Sequence, residues 1–182
     1  DEIERKDIRI NDYVWVKRAG DVIPYVSEVE LSKREKINKK FQVPNFCPCK
    51  EFPIVKNINE TVQRCSGGNK CKFQKRENLK HYVSKKAMNI EGLGEKQIEK
   101  FIELKIINNK SDIYNIEKYS KIIINLDGYG EKSFQNLVNS INKSKNTTLT
   151  RYIFSLGLRY VGENNSELLA QFFQSKDTFK KL

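Results

Sequence analysis

The apolar positions of residues 8–31 read as strands. Tyr13, Val14, Trp15 and Val16 form a short run of β-formers. Ala19-Gly20-Asp21 is a turn signal, and Val22, Ile23, Tyr25, Val26 and Val29 resume the pattern. Pro24 offers no N–H and is expected at an edge or a bulge. Two or three strands do not make a stable domain, so this stretch reads as the end of a β-barrel whose beginning is missing. Residues 32–44 are polar, from Ser32-Lys33-Arg34 to Lys39-Lys40, and read as a solvated linker. From residue 75 the apolar period lengthens. Leu79, Tyr82 and Val83 are spaced i, i+3, i+4, and Ile98, Phe101 and Ile102 repeat that spacing, which predicts an all-α C-terminal half.

That half contains an internal repeat. Gly92-Leu93-Gly94-Glu95-Lys96 precedes Ile98, Phe101 and Ile102. Gly128-Tyr129-Gly130-Glu131-Lys132 precedes Phe134, Leu137 and Val138. A degenerate third copy, Val161-Gly162-Glu163-Asn164, precedes Ser166, Leu169 and Ala170. In each copy the positions four, seven and eight after the last glycine share one helix face, so each unit is a tight hairpin feeding an amphipathic helix. Glycine tolerates positive φ and lets another backbone approach. The unpaired N–H groups at the helix start, with the helix dipole, favour a phosphate, and Lys96 and Lys132 add a charge. A lysine there opposes the dipole and is mildly costly for the fold alone, which argues for a phosphate partner. On this reading a valine at Gly94 or Gly130 blocks the phosphate and resists positive φ.

Four cysteines, Cys47, Cys49, Cys65 and Cys71, fall within one short stretch. Four thiolates are the ligand set of a closed, tetrahedral structural zinc site. Such a site replaces a core too small to fold alone. Only one residue separates Cys47 from Cys49, where two to four are usual. The alternatives are a strained knuckle, a site with three good thiolates and His81 as substitute ligand, or disulfides. The plainer reading of His81 is a helix residue.

Composition adds less. Of 182 residues 38% are hydrophobic, too many for a disordered tail and too few for a membrane protein. No run approaches ~18 apolar residues, so no transmembrane helix is expected. The chain begins with Asp1, shows no targeting peptide, and reads as a fragment of a cytoplasmic protein. The net charge of +11 comes mainly from lysine, beside abundant asparagine and isoleucine. A+T-rich coding drift yields the same bias, so charge alone does not identify an acidic partner. The excess is concentrated in residues 45–86, around the cysteines.

Together these motifs resemble the C-terminal half of the bacterial NAD-dependent DNA ligase family. Asp1-Glu2-Ile3 leads into Arg18-Ala19-Gly20-Asp21-Val22-Ile23-Pro24, similar to the family's oligonucleotide-binding (OB-fold) barrel. Arg64-Cys65 through Cys71 looks like the second half of its zinc module. His81-Tyr82-Val83-Ser84 and Ala87-Met88-Asn89-Ile90-Glu91-Gly92-Leu93-Gly94-Glu95-Lys96 look like the start of its helix-hairpin-helix domain. Leu156-Gly157-Leu158-Arg159-Tyr160-Val161-Gly162-Glu163 looks like a later hairpin. The family's first pair is Cys-x-x-Cys, one residue longer than here, and its domain carries four hairpins against three.

The resemblance implies a multi-domain chain: the end of an OB-fold and a linker (1–44), a four-cysteine zinc module (45–74) and an incomplete helix-hairpin-helix domain (75–182). It implies an enzyme that seals nicks in duplex DNA during replication and repair. Zinc would sit on Cys47, Cys49, Cys65 and Cys71, while NAD and Mg would act outside this fragment. The family's adenylated lysine lies in Lys-x-Asp-Gly. The nearest match here, Asn125-Leu126-Asp127-Gly128, has no lysine, so the fragment is expected to be inactive. Its implied role is to grip nicked duplex through the backbone as a monomer, with Arg18, Gly92, Gly94, Lys96, Gly128, Gly130, Lys132 and Gly162 as contacts. The competing readings are a stand-alone hairpin DNA-binding protein or nuclease subunit, and a zinc-dependent adaptor. No paired-acid metal motif favours a nuclease, and phosphate-type hairpins weigh against an adaptor.

Overall fold

The computed structural model describes residues 2–20, 23–58, 60 and 62–174. A short helix, α1 (Glu2–Arg5), precedes a two-stranded antiparallel ribbon of β1 (Val14–Ala19) and β2 (Ile23–Val29). The expected strands therefore form, although Asp21 and Val22 of the turn lie outside the described residues. Pro24 pairs with Arg18 on this two-stranded ribbon, an edge position as expected, and the irregular register falls at Trp15 and Val16. No closed barrel forms among the described residues. No described hydrophobic side chain before Cys47 is buried, and Trp15, Val16 and Ile23 are exposed.

A polar network ties this region together in place of an apolar core. Arg34 donates to Asp12 and Asp7, Asn38 donates to Asp12, and the backbones at Arg9 and Lys40 form an antiparallel β-bridge. Residues 32–44 are thus not the free linker expected from their charge. Arg34 and Asn38 fold the segment back, because each offers several donors to carboxylates set by the preceding turn.

Two two-residue strands, β3 (Ile54–Val55) and β4 (Arg64–Cys65), pair antiparallel between the cysteines. Around them the buried hydrophobic side chains are Cys47, Cys49 and Cys71, with Phe52, Ile54, Cys65 and Phe73 packed alongside.

The rest is helical: α2 (Lys72–Val83), α3 (Glu95–Glu103), a 3₁₀ segment (Lys110–Tyr119), α4 (Ser120–Ile124), α5 (Glu131–Ser144), α6 (Leu149–Ser155) and α7 (Glu163–Phe173). Helices this short are marginal in isolation. The longer of α2–α5 hold because one stripe is buried, Leu79, Tyr82 and Val83 on α2, Ile98 and Phe101 on α3, and Phe134, Leu137, Val138 and Ile141 on α5, whereas α7 buries only Ser166 and packs on α6. No helix among the described residues is long and apolar enough to cross a membrane.

Candidate metal centre and phosphate-binding hairpins

The chain turns tightly at the first cysteine pair. The Lys50 N–H donates to the Cys47 carbonyl at 2.8 Å, and Lys50 takes φ +64°. Gly67 N–H approaches the Cys65 sulfur at 3.4 Å. A Cβ on Gly67 would collide with the Phe52 ring, which fixes glycine there. These turns bring the four sulfurs within 4.8 Å of one another. Zn–S bonds of about 2.3 Å in a tetrahedron place sulfurs about 3.8 Å apart. Cys47 and Cys71 lie at 3.8 Å. The donor set and spacing fit zinc, and the single-residue gap does not exclude Cys49.

The thiols are not equivalent. The Cys49 backbone N–H favours the Cys47 thiolate, but burial and the thiols of Cys49, Cys65 and Cys71 outweigh it and push Cys47 up to about 12. Burial also opposes ionisation of Cys49. There the Glu51 and Phe52 N–H groups and the Cys47 and Cys71 thiols win, bringing it down to about 7. Cys49 is therefore the thiolate nearest to hand. His81 is no substitute ligand: its Nε2 is 2.7 Å from the Phe154 carbonyl, and as donor it caps the end of α6.

All three repeat units are hairpins feeding helices. Gly94, Gly130 and Gly162 are the N-caps of α3, α5 and α7, and the cap side chain satisfies no N–H at any of them. Asn109 forms a capping box on the 3₁₀ segment and Thr148 accepts from Arg151 on α6, whereas α2 and α4 begin, like the hairpin helices, without a side-chain cap. The cap glycines have ordinary extended backbones, with φ of −70°, −163° and −80°. The positive φ expected at Gly94 and Gly130 falls two residues earlier, at Gly92 (+90°) and Gly128 (+77°). The turn reverses there, before the chain straightens into the cap.

A Cβ on Gly130 or Gly162 would meet nothing within 4 Å. Neither backbone angle nor packing requires glycine at these two positions.

Lys96 and Lys132 are exposed and have no ion pair among the described residues. The glutamates beside the glycines are partly neutralised, Glu95 by Lys80 at 2.8 Å and Glu163 by Lys86 at 2.6 Å. The first two hairpins lie side by side. Tyr129 Oη donates to the Gly92 carbonyl at 3.2 Å, and a Cβ on Gly92 would touch Leu137 at 3.5 Å. Arg18 stands apart from them, exposed on β1.

Sequence reasoning missed Tyr160. It occupies the position of Gly92 and Gly128 in the third hairpin and takes φ +63°. The signal was available, because Tyr160 stands two residues before Gly162 in register with the other two glycines.

Residues 1–38 match the family model of the NAD-dependent DNA ligase OB-fold domain. A DNA ligase of Rickettsia bellii (strain OSU 85-389) is 43% identical over 182 residues, 98% of this chain and 26% of the relative. A DNA ligase of Coxiella burnetii (strain RSA 493 / Nine Mile phase I) is 44% identical over 100% of this chain and 27% of its own length. One from Acinetobacter baylyi is 41% identical over 99% and 27%. The chain spans about a quarter of the length of the curated relatives it matches. The resemblance to a segment of the bacterial NAD-dependent DNA ligases is borne out.

Proposed function

We propose that this chain, homologous along its whole length to about a quarter of a bacterial NAD-dependent DNA ligase, grips nicked duplex DNA by its sugar-phosphate backbone. In this reading residues 1–44 complete an OB-fold with a preceding part of the enzyme, residues 45–74 form a zinc module, and residues 75–182 form a helix-hairpin-helix domain. Nick sealing in replication and repair, with NAD and Mg, is work of the whole enzyme. The working unit is a monomer in the cytoplasm.

One observation carries the reading: each of the three repeat units brings a glycine to the N-cap of a helix, with no side chain covering the first N–H groups. Those N–H groups meet phosphate oxygens, and Lys96 and Lys132 add charge alongside. Gly94, Gly130 and Gly162 allow close approach. Gly92 and Gly128 supply the left-handed turn that aims them. Such contacts position a protein on duplex without reading sequence. Arg18 contributes a further phosphate contact from the ribbon.

Cys47, Cys49, Cys65 and Cys71 hold the zinc. Bound zinc supplies a structural cross-link between the two turns and takes no part in the chemistry of sealing.

The test is Gly130→Ser. Serine caps better than glycine by a few tenths of a kcal/mol, so the helix is stabilised. The same hydroxyl occupies the N–H groups that phosphate needs. The expected outcome is an unchanged or slightly raised melting temperature with weaker binding to nicked duplex. A folded Gly130→Ser protein with undiminished affinity refutes the hairpin grip.

A further inference from the structure

The third hairpin achieves the same turn as the first two without the residue that makes it easy. Tyr160 takes φ +63° where they use Gly92 and Gly128. A bulky residue is a genuine outlier in this region, and such a conformation persists only when its surroundings hold it. Part of the restraint is local, since the Asn165 amide donates to the Tyr160 carbonyl at 2.7 Å.

Two further contacts, to Tyr160 and to its neighbour Arg159, come from about a hundred residues earlier in the chain. Glu60 lies in the loop between β3 and β4 of the cysteine module, and its side chain is only 14% exposed. One carboxylate oxygen accepts from Arg159 Nη1 at 2.8 Å and from Tyr160 Oη at 3.4 Å. The other accepts from Arg64 Nε at 3.4 Å, next to Cys65. A single carboxylate thus joins the strand that carries a cysteine to the two residues at the tip of the third hairpin.

We infer that Glu60 is a positioning residue for DNA binding: through Arg159 and Tyr160 it holds the third hairpin in its phosphate-gripping turn, anchored by the cysteine module. The inference rests on the hairpin reading of the function. Its physical content is pre-organisation. If the turn relaxes, the uncapped N–H groups after Gly162 no longer converge, and the hairpin must be reordered at the moment of binding. A negative group beside a DNA-binding surface ordinarily weakens binding. Here its removal is expected to weaken binding, because the carboxylate is spent on Asn57, Arg159, Arg64 and Tyr160.

The decisive experiment measures the affinity of the full chain for a nicked duplex across a salt series, in Glu60→Gln, Tyr160→Gly, the double variant and Gly162→Ser. Zinc content and circular dichroism accompany each. Glu60→Gln is expected to retain metal and helix, to lose several-fold in affinity, and to flatten the salt slope by about 2, the share of two phosphates. Tyr160→Gly makes the turn intrinsically easy, so it is expected to bind within about twofold of the parent. In that background Glu60→Gln is expected to have no further effect.

A Glu60→Gln loss that persists in the Tyr160→Gly background overturns the inference. So does a gain in affinity on removing the carboxylate, which makes Glu60 merely repulsive. Gly162→Ser separates the two claims. If it weakens binding while Glu60→Gln does not, the hairpin grips but Glu60 does not position it. If folded Gly162→Ser binds as tightly as the parent, the hairpin reading itself fails at this site.

Discussion

Asp12 shows how a single residue can stand in for a core. Its side chain is fully shielded, and it accepts from Arg34 at 3.1 and 2.6 Å, from Asn38 at 2.9 Å and from the Arg9 N–H at 2.9 Å. The Arg34 guanidinium, helped by Asn38 and the Arg9 N–H, holds the carboxyl well below the usual carboxylate range despite burial. The folded pKa lies below the unfolded value, so this stabilisation is complete above the ordinary aspartate range, near ~3.9, and fades as pH falls toward the folded pKa. Asp12→Asn should therefore loosen residues 2–40 at neutral pH without disturbing the helices. Amide exchange would show it, with protection lost on the ribbon and kept on α5. Cys49 supports a second prediction at this scale. It sits inside the sulfur cluster, with its thiol brought down to about 7. The unusual spacing would make it a dispensable ligand. The geometry makes Cys49→Ser as damaging to zinc retention as Cys71→Ser, measured by metal content after dialysis. Retention should also weaken as pH falls, because protons compete with the metal for the four sulfurs.

Among the elements, α6 is held at its C-terminal end by side chains from distant parts of the chain. Lys110 Nζ donates to the Ser155 and Leu156 carbonyls at 3.2 and 3.0 Å, and His81 takes the Phe154 carbonyl. Burial holds the Lys110 pKa below the ordinary lysine value, yet a cation at a helix C-terminus is well placed. Lys110→Met keeps the length of the side chain but leaves those carbonyls unpaired, at a cost of about 1–3 kcal/mol. A lower denaturant midpoint with an unchanged slope would show it. None of this end-capping was legible in the sequence, because Lys110 and His81 lie 45 and 73 residues from the carbonyls they serve. The helices themselves were legible. Ile98 and Phe101 on α3, and Phe134, Leu137 and Val138 on α5, repeat at helical spacing and are buried as that spacing requires. The cysteine cluster was legible too, as a local grouping of one residue type. The polar run at 32–44 was misread because a half-buried, carboxylate-bound Arg34 and a solvated one look alike in sequence. The left-handed residue of each hairpin was misplaced for a related reason. Gly-x-Gly offers two candidates, and only the backbone shows that the first takes the turn while the second takes the cap.

At the scale of the whole molecule, the open question is whether charge or geometry does the holding. The chain carries a net charge of +11, enough for loose attraction to any polyanion. It has no Lys-x-Asp-Gly motif, so incubation with NAD and Mg is expected to leave no AMP adduct detectable by mass on any lysine. A diffuse lysine surface and three aimed hairpins predict different responses to substitution. If charge alone binds, losing any lysine counts the same. If the hairpins bind, each meets about two phosphates, six in all, and log K falls with log salt at a slope on the order of −5. Lys39 and Lys40 provide the comparison, since they lie away from the hairpins and Lys40 faces Asp7 at 3.7 Å. Alanine at both should shift affinity slightly and evenly across salt. Lys132→Ala, removing an exposed cation beside the α5 cap, should cost more and flatten the slope by about 1. Gly130→Ser removes no charge at all, so a purely electrostatic surface would not register it, whereas a backbone grip loses a phosphate. Loss of affinity in the neutral substitution, with circular dichroism unchanged, is the outcome that only aimed N–H groups explain.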